Sequence, residues 1–197
     1  MMNRKKSGSD LLKESNLTYD DYASIDDGNR YELAAGQLVL MSPGPSVTHQ
    51  MISFEMQKAI ARSCESDYII LNAPLDVILA PDEVRQPDLV LVQRQRIDII
   101  SNRGIEGPPD LVVEILSPST IKRDKIDKLK TYAAYHIPEY WIVEPKTGTL
   151  EQYVLQDDRY EPINIFLEDE QVTSPKIPCI SFTMADIMKN IPHLKNE

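Results

Sequence analysis

Asp88 in Gln86-Pro87-Asp88, Glu114 in Leu111-Val112-Val113-Glu114-Ile115, and Asp124 with Lys128 in the charged run that follows bring three carboxylates and a lysine into one stretch of chain. Asp88 and Glu114 each adjoin a short run of β-branched and aliphatic residues that reads as a buried strand, and acidic side chains are almost never buried without a partner. Two acids on neighbouring core strands, with a lysine arriving from the next helix, form a divalent-metal site of the kind that cuts phosphodiesters. Taken singly, each residue has a plainer reading. Glu114 could salt-bridge a helix lysine, and Asp88 could cap a turn, since Pro-Asp recurs at Pro81-Asp82 and Pro109-Asp110. Asp124 and Lys128 could be a surface i,i+4 pair worth a few tenths of a kcal/mol.

The elements that would position these residues follow from periodicity. Residues 88–92 and 111–115 are nearly all aliphatic, as in strands covered on both faces. Alternation puts Asp110, Val112, Glu114 and Leu116 on one face and Leu111, Val113 and Ile115 on the other. After the break at Ser117-Pro118-Ser119-Thr120, a helix is predicted from about residue 121 to 136, with Ile126, Leu129, Ala133 and Ile137 on its buried stripe and Asp124, Lys128 and Tyr132 on a separate face. Folding that helix back along the strand carries Lys128 to the acids. Upstream, the pattern predicts a short helix within 17–27, a strand-turn-strand over 31–41, a break at 42–46, a helix over 49–64, a strand over 67–79, a turn at 81–83 and an irregular connection over 94–109. Downstream come a strand at 140–143, an antiparallel hairpin of 150–155 with 160–166, and a short helix within 184–190. This order predicts an α/β fold: a mixed central β-sheet flanked by helices, with a C-terminal antiparallel hairpin. A single domain is expected over 17–190, between a flexible N-terminal tail (1–16) and a C-terminal tail (191–197).

Whole-chain properties narrow the class. A length of 197 residues suits one domain with a real core. The net charge of -10 argues against a protein that coats nucleic acid. That charge is uneven, however: residues 85–130 hold nine Lys/Arg against seven Asp/Glu, so the segment with the candidate site is the relatively basic one. The polar N-terminus reads as neither signal peptide nor anchor, and no apolar run is long enough to span a membrane. Cys64 and Cys179 lie far apart and form no metal spacing, so reduced thiols in a cytoplasmic protein are expected. No organic cofactor is expected.

Gln86-Pro87-Asp88-Leu89-Val90, the block from Pro109 to Thr120, the Asp124-Lys128-Tyr132 spacing and Pro138-Glu139-Tyr140-Trp141-Ile142-Val143 resemble the Uma-two family, a branch of the restriction-endonuclease-like PD-(D/E)XK superfamily. Tyr31-Glu32-Leu33 with Gly36, then Met41-Ser42-Pro43 and His49, resemble its N-terminal block; the likeness runs from about Thr18 to Asp186. The resemblance implies a restriction-endonuclease-like core in which Asp88 and Glu114 bind Mg²⁺ or Mn²⁺. Residue 116 is Leu where the usual Glu-X-Lys pattern has lysine, so it implies that Lys128 supplies the ammonium from the following helix. The Ile115 carbonyl is a candidate further ligand. Glu32 could complete the metal shell or be an exposed strand charge. His49, near a helix N-terminus whose dipole disfavours the imidazolium, could serve as neutral base or ligand, or simply as a polar helix-end group. Tyr132 and Trp141 read as core aromatics.

The expected function is metal-dependent hydrolysis of DNA, with a homodimer as a natural way to cut both strands. The alternatives are a catalytically inactive interaction module on the same fold, and a glycosidase-type carboxylate pair, which lacks aromatic sugar platforms and leaves Lys128 unexplained. No helix-turn-helix, zinc finger or basic arm is present in the sequence to supply target recognition.

Overall fold

The computed structural model describes residues 8–12, 14–41, 44–192 and 194. In chain order the elements are α1 (Gly8–Leu11), α2 (Tyr19–Ala23), β1 (Tyr31–Ala34), β2 (Gln37–Leu40), α3 (Val47–Cys64), β3 (Tyr68–Asn72), β4 (Val77–Ala80), β5 (Glu83–Arg85) and β6 (Leu89–Gln93). A 3-10 helix (Arg94–Ile99), β7 (Ile100–Ser101), β8 (Gly104–Glu106) and β9 (Leu111–Ile115) follow. Next come a π-helical turn (Arg123–Lys128) continuing into α4 (Leu129–Ala134), then β10 (Glu139–Glu144), β11 (Thr149–Gln156), β12 (Arg159–Phe166), β13 (Gln171–Val172), β14 (Phe182–Thr183) and α5 (Met184–Met188).

The sheet that matters for chemistry has the order β12-β11-β10-β9-β6-β3. It is mixed, because β9 and β10 run parallel while every other neighbouring pair is antiparallel. Parallel neighbours need a crossover, and the π-turn with α4 supplies it. Both faces are covered, as the aliphatic runs require. Val90, Val92, Val112 and Leu116 face Tyr132, Ala133 and Ile137 of the crossover, whereas Leu89, Leu91, Leu111, Val113 and Ile115 face Ile52, Met56 and Ile60 of α3. The apolar residues of α3 recur every four residues, and Ser46 caps the helix by accepting the His49 N–H, so its phase and start are set locally. A second sheet, β2-β1-β5-β4-β8-β7, delivers Glu32 and Arg85 to the crossover side.

Several expectations need correction. The predicted strand over 67–79 is two strands in different sheets, divided at Ala73-Pro74, where proline cannot donate to a ladder. The irregular connection over 94–109 contains the 3-10 helix, β7 and β8, elements too short to show a period. Residues 8–11 are not a loose tail: they form α1, whose Leu11 is buried against Leu17, Tyr31 and Leu33. Residues 1–7, part of the expected break at Ser42-Pro43, and most of the C-terminal tail lie outside the described residues. Among the described residues no helix is long and apolar enough to cross a membrane.

Cys64 and Cys179 are joined in a disulfide, not reduced, with Cα atoms 5.3 Å apart. Sequence spacing missed the pair because packing of the segment before β14 against the end of α3 closes a separation of 115 residues. Replacing both cysteines by alanine is therefore expected to lower the unfolding free energy by about 2–4 kcal/mol, read from urea melts without reductant. Equal stability of the double variant and the oxidised parent would show that the thiols are free.

Candidate active site

The ladder between β6 and β9 pairs Leu89 with Val113, Val90 with Val112 and Leu91 with Leu111. One step further along the same register sets Asp88 opposite Glu114, so both acids lie at the same end of the sheet. Asp88 Oδ2 accepts the Ile115 N–H at 2.8 Å and lies 3.0 Å from His49 Nε2 in the first turn of α3. Asp88, Glu114, Ile115, His49, Asp124 and Lys128 all line one cavity.

Behind it sits a buried ion cluster. Lys128 Nζ is 2.7 Å from Glu114 Oε1, 3.4 Å from Glu32 Oε1 and 3.5 Å from Asp124 Oδ1, and its side chain is only 3% exposed. The Tyr132 hydroxyl donates to the same Glu114 oxygen at 2.8 Å. Glu32 accepts the Gln86 N–H and faces Arg85 at 3.5 Å and Arg123 at 3.8 Å. Arg85 in turn donates to Glu83 and Thr131.

Burial alone would favour the neutral amine of Lys128, but Glu114, Glu32 and Asp124 outweigh it and raise its pKa, so the ammonium is retained. For Glu114 burial dominates: Lys128 offsets part of it, but Asp124, Asp88 and Glu32 add repulsion, and the carboxyl is pushed well above its ordinary range. Glu32 is equally buried, yet Lys128, Arg85 and Arg123 together hold it down to about 2. Asp124 is raised by burial, with Lys128 and a bond from Thr120 opposing. Tyr132 is raised strongly by burial and by Glu114, which keeps it a phenol donor. His49 departs from expectation. Burial lowers it, but its bond to Asp88 and the charge there reverse the effect and raise its pKa, so the helix dipole is not the controlling influence.

The donors at the cavity fit a hard divalent cation. Both hydrogen bonds to Asp88 fall on Oδ2 and both to Glu114 on Oε1, which leaves an oxygen of each carboxylate for another partner. The displaced pKa of Glu114 marks a carboxyl whose proton a cation would replace. Among the described residues no three His, Cys, Asp or Glu side chains are gathered at metal-ligand spacing, so a cation here would rely on a main-chain oxygen and water, as Mg²⁺ commonly does. Glu32 is fully buried and does not line the cavity. Tyr132 likewise stands behind it.

The expected buried stripe of the crossover helix is corrected. Ile126 is exposed and Leu129 only half-buried, while Asp124, Lys128 and Tyr132 face inward. Two causes combine: the facing sheet offers acids as well as apolar surface, and residues 123–128 wind as a π-turn, with i to i+5 bonding that shifts the phase of an α-helical projection. Arg123 was missed for the same reason. An α-helical wheel turns it away from Lys128, whereas here both line the cavity. The backbone N–H of Gln86 was passed over because its role depends on β5 meeting β1.

Residues 18–185 match the Uma2 family, described as "Putative restriction endonuclease". The chain belongs to this family. One solved structure similar to this Uma2 chain is described as a "putative nuclease belonging to DUF820 from Anabaena variabilis", with 18% identity, a TM-score of 0.73, and coverage of 88% of this chain and 98% of that one. At that identity the likeness shows the shared fold. No curated protein matches the chain.

Removing Lys128 leaves Glu114, Glu32 and Asp124 facing one another in a dry interior, so Lys128→Ala is expected to lose about 3–5 kcal/mol in a denaturant melt. Acid titration tests Glu32. Its folded pKa is depressed, so the stability it contributes is complete above the ordinary 4.5 and disappears as pH falls from there towards about 2. Glu32→Gln should flatten the pH dependence of stability in that window; an unchanged acid limb would mean the three cations do not hold the carboxylate.

Proposed function

We propose that the protein is a Mg²⁺- or Mn²⁺-dependent endonuclease that hydrolyses DNA phosphodiesters in the cavity at the ends of β6 and β9. The observation that carries this reading is the convergence of Asp88, Glu114, Ile115 and a charged, buried Lys128 on one cavity in a chain of a restriction-endonuclease family. Asp88 and Glu114, with the Ile115 carbonyl, would hold the cation. When bound, it would lower the pKa of an attacking water and offset charge developing at phosphorus.

The chain's own residues do the positioning. The Ile115 N–H and His49 fix the Asp88 carboxylate from two directions, and Tyr132 and Lys128 fix Glu114. Lys128 also provides a fixed positive charge near the reacting phosphate, in a site that excludes water from one side. Glu32 and Asp124 hold that ammonium in place; we assign them positioning roles, with Glu32 outside the ligand set. The enzyme would act on DNA as one domain that includes α1, with two copies needed for a double-strand cut. A non-catalytic interaction module is the second reading. It draws on the net charge of -10 and on the ion pairs that Lys128 already makes with Glu114, Glu32 and Asp124.

Calorimetric titration with Mn²⁺ and with Mg²⁺, paired with nicking of supercoiled plasmid, separates the two. Wild type should bind metal and nick, and Glu114→Ala should lose both, with nicking down by on the order of a hundredfold or more. Metal binding without nicking, or nicking that survives Glu114→Ala, would reject the enzyme assignment.

A further inference from the structure

We propose that Arg123 is the phosphate anchor of the cavity, its guanidinium taking the non-bridging oxygens of a DNA phosphodiester through paired N–H bonds. The identity of this ligand rests on the nuclease reading; the availability of the donors does not.

The three cations of the cluster differ in how their donors are used. Lys128 donates to Glu114 at 2.7 Å and is ion-paired with Glu32 at 3.4 Å and Asp124 at 3.5 Å. Arg85 donates to Glu83 at 2.6 Å and to Thr131 at 3.3 Å, and stands 3.5 Å from Glu32. Both are occupied. The Arg123 side chain makes no hydrogen bond among the described residues: Nη1 stops 3.8 Å from Glu32 Oε2, itself without a hydrogen bond, and Nε is buried without one. Its side chain is only 19% exposed, and a largely buried guanidinium with unused donors carries a desolvation cost that the long ion pair with Glu32 offsets only in part.

An anion entering the cavity would meet that demand. Arg123 lines the same wall as Asp88, Glu114 and Lys128, and the planar fork of its side chain matches two oxygens of a tetrahedral phosphate. The π-turn explains its position, since i to i+5 winding brings Arg123 and Lys128 to one side of the helix, where an α-turn would separate them. Such turns recur at functional sites. The cavity's acids repel phosphate, and a guanidinium with free donors on the same wall offsets that repulsion.

The test uses metal-free, full-length protein with two probes, inorganic phosphate by calorimetry and a short DNA duplex by fluorescence anisotropy over a salt series. Arg123→Gln should weaken both by roughly tenfold to a hundredfold and reduce the slope of log affinity against log salt by about 1. Arg123→Lys should keep that slope but lose most of the phosphate affinity, because the fork is gone. Arg123→Lys retains a charge beside Glu32, so it remains informative if Arg123→Gln fails to fold. A variant that melts lower yet matches wild type in DNA affinity and salt slope would show that Arg123 serves only Glu32, and the proposal falls. It falls also if wild type binds neither probe. Arg123-dependent binding of both probes by a protein that cuts nothing would reject the nuclease reading and leave the anchor standing; phosphate binding alone would limit the ligand to the free anion.

Discussion

A lysine ammonium held away from water must be charge-balanced within a few ångströms, and this requirement organises the rest of the site. Lys128 stays protonated because Glu114, Glu32 and Asp124 surround it, each arriving from a different element. Glu32 comes from β1, Glu114 from β9 and Asp124 from the helix that bears Lys128 itself. Removing any one partner leaves buried charge exposed to its neighbours. The cluster therefore ties the two sheets and the crossover together, and it does so where an apolar core would have been the simpler solution.

The same interaction divides the acids by task. Glu32 and Glu114 are equally buried and share Lys128, but Glu32 also has Arg85 and Arg123 while Glu114 has other acids nearby. One carboxylate is held down in pKa by its cations, and the other is pushed up by burial and by the neighbouring acids. Environments that push two like groups apart in this way are a mark of acid and base assignment in active sites. Here the difference comes from backbone topology, since β1 and β5 place Glu32 beside Arg85 whereas the β6 and β9 register sets Glu114 against Asp88.

The Cys64–Cys179 disulfide lies on the opposite face of the central sheet, in the core shared by α3 and the C-terminal segment. His49, which contacts Asp88, belongs to the same helix as Cys64. Whatever fixes the long axis of α3 thus also fixes the imidazole against the candidate site, so the apolar face of the sheet contributes to the order of the polar one.

Local pattern by itself determined the central strands, the hairpin, the presence of helices at 47–64 and 123–134, and the pairing of Asp88 with Glu114 at one end of a sheet. These depend on alternation and spacing within a few residues, which a sequence carries openly. Lys128 was legible as well, through its four-residue interval from Asp124 and the leucine at 116. The π-turn was not legible, and with it went the inward face of the crossover helix and the place of Arg123, because winding there is decided by which side chains the sheet presents. The sign of the His49 shift, the surroundings of Glu32 and the disulfide across 115 residues were equally hidden. Each depends on groups distant in the chain and adjacent only after folding, and burial with its low dielectric then sets their charge states.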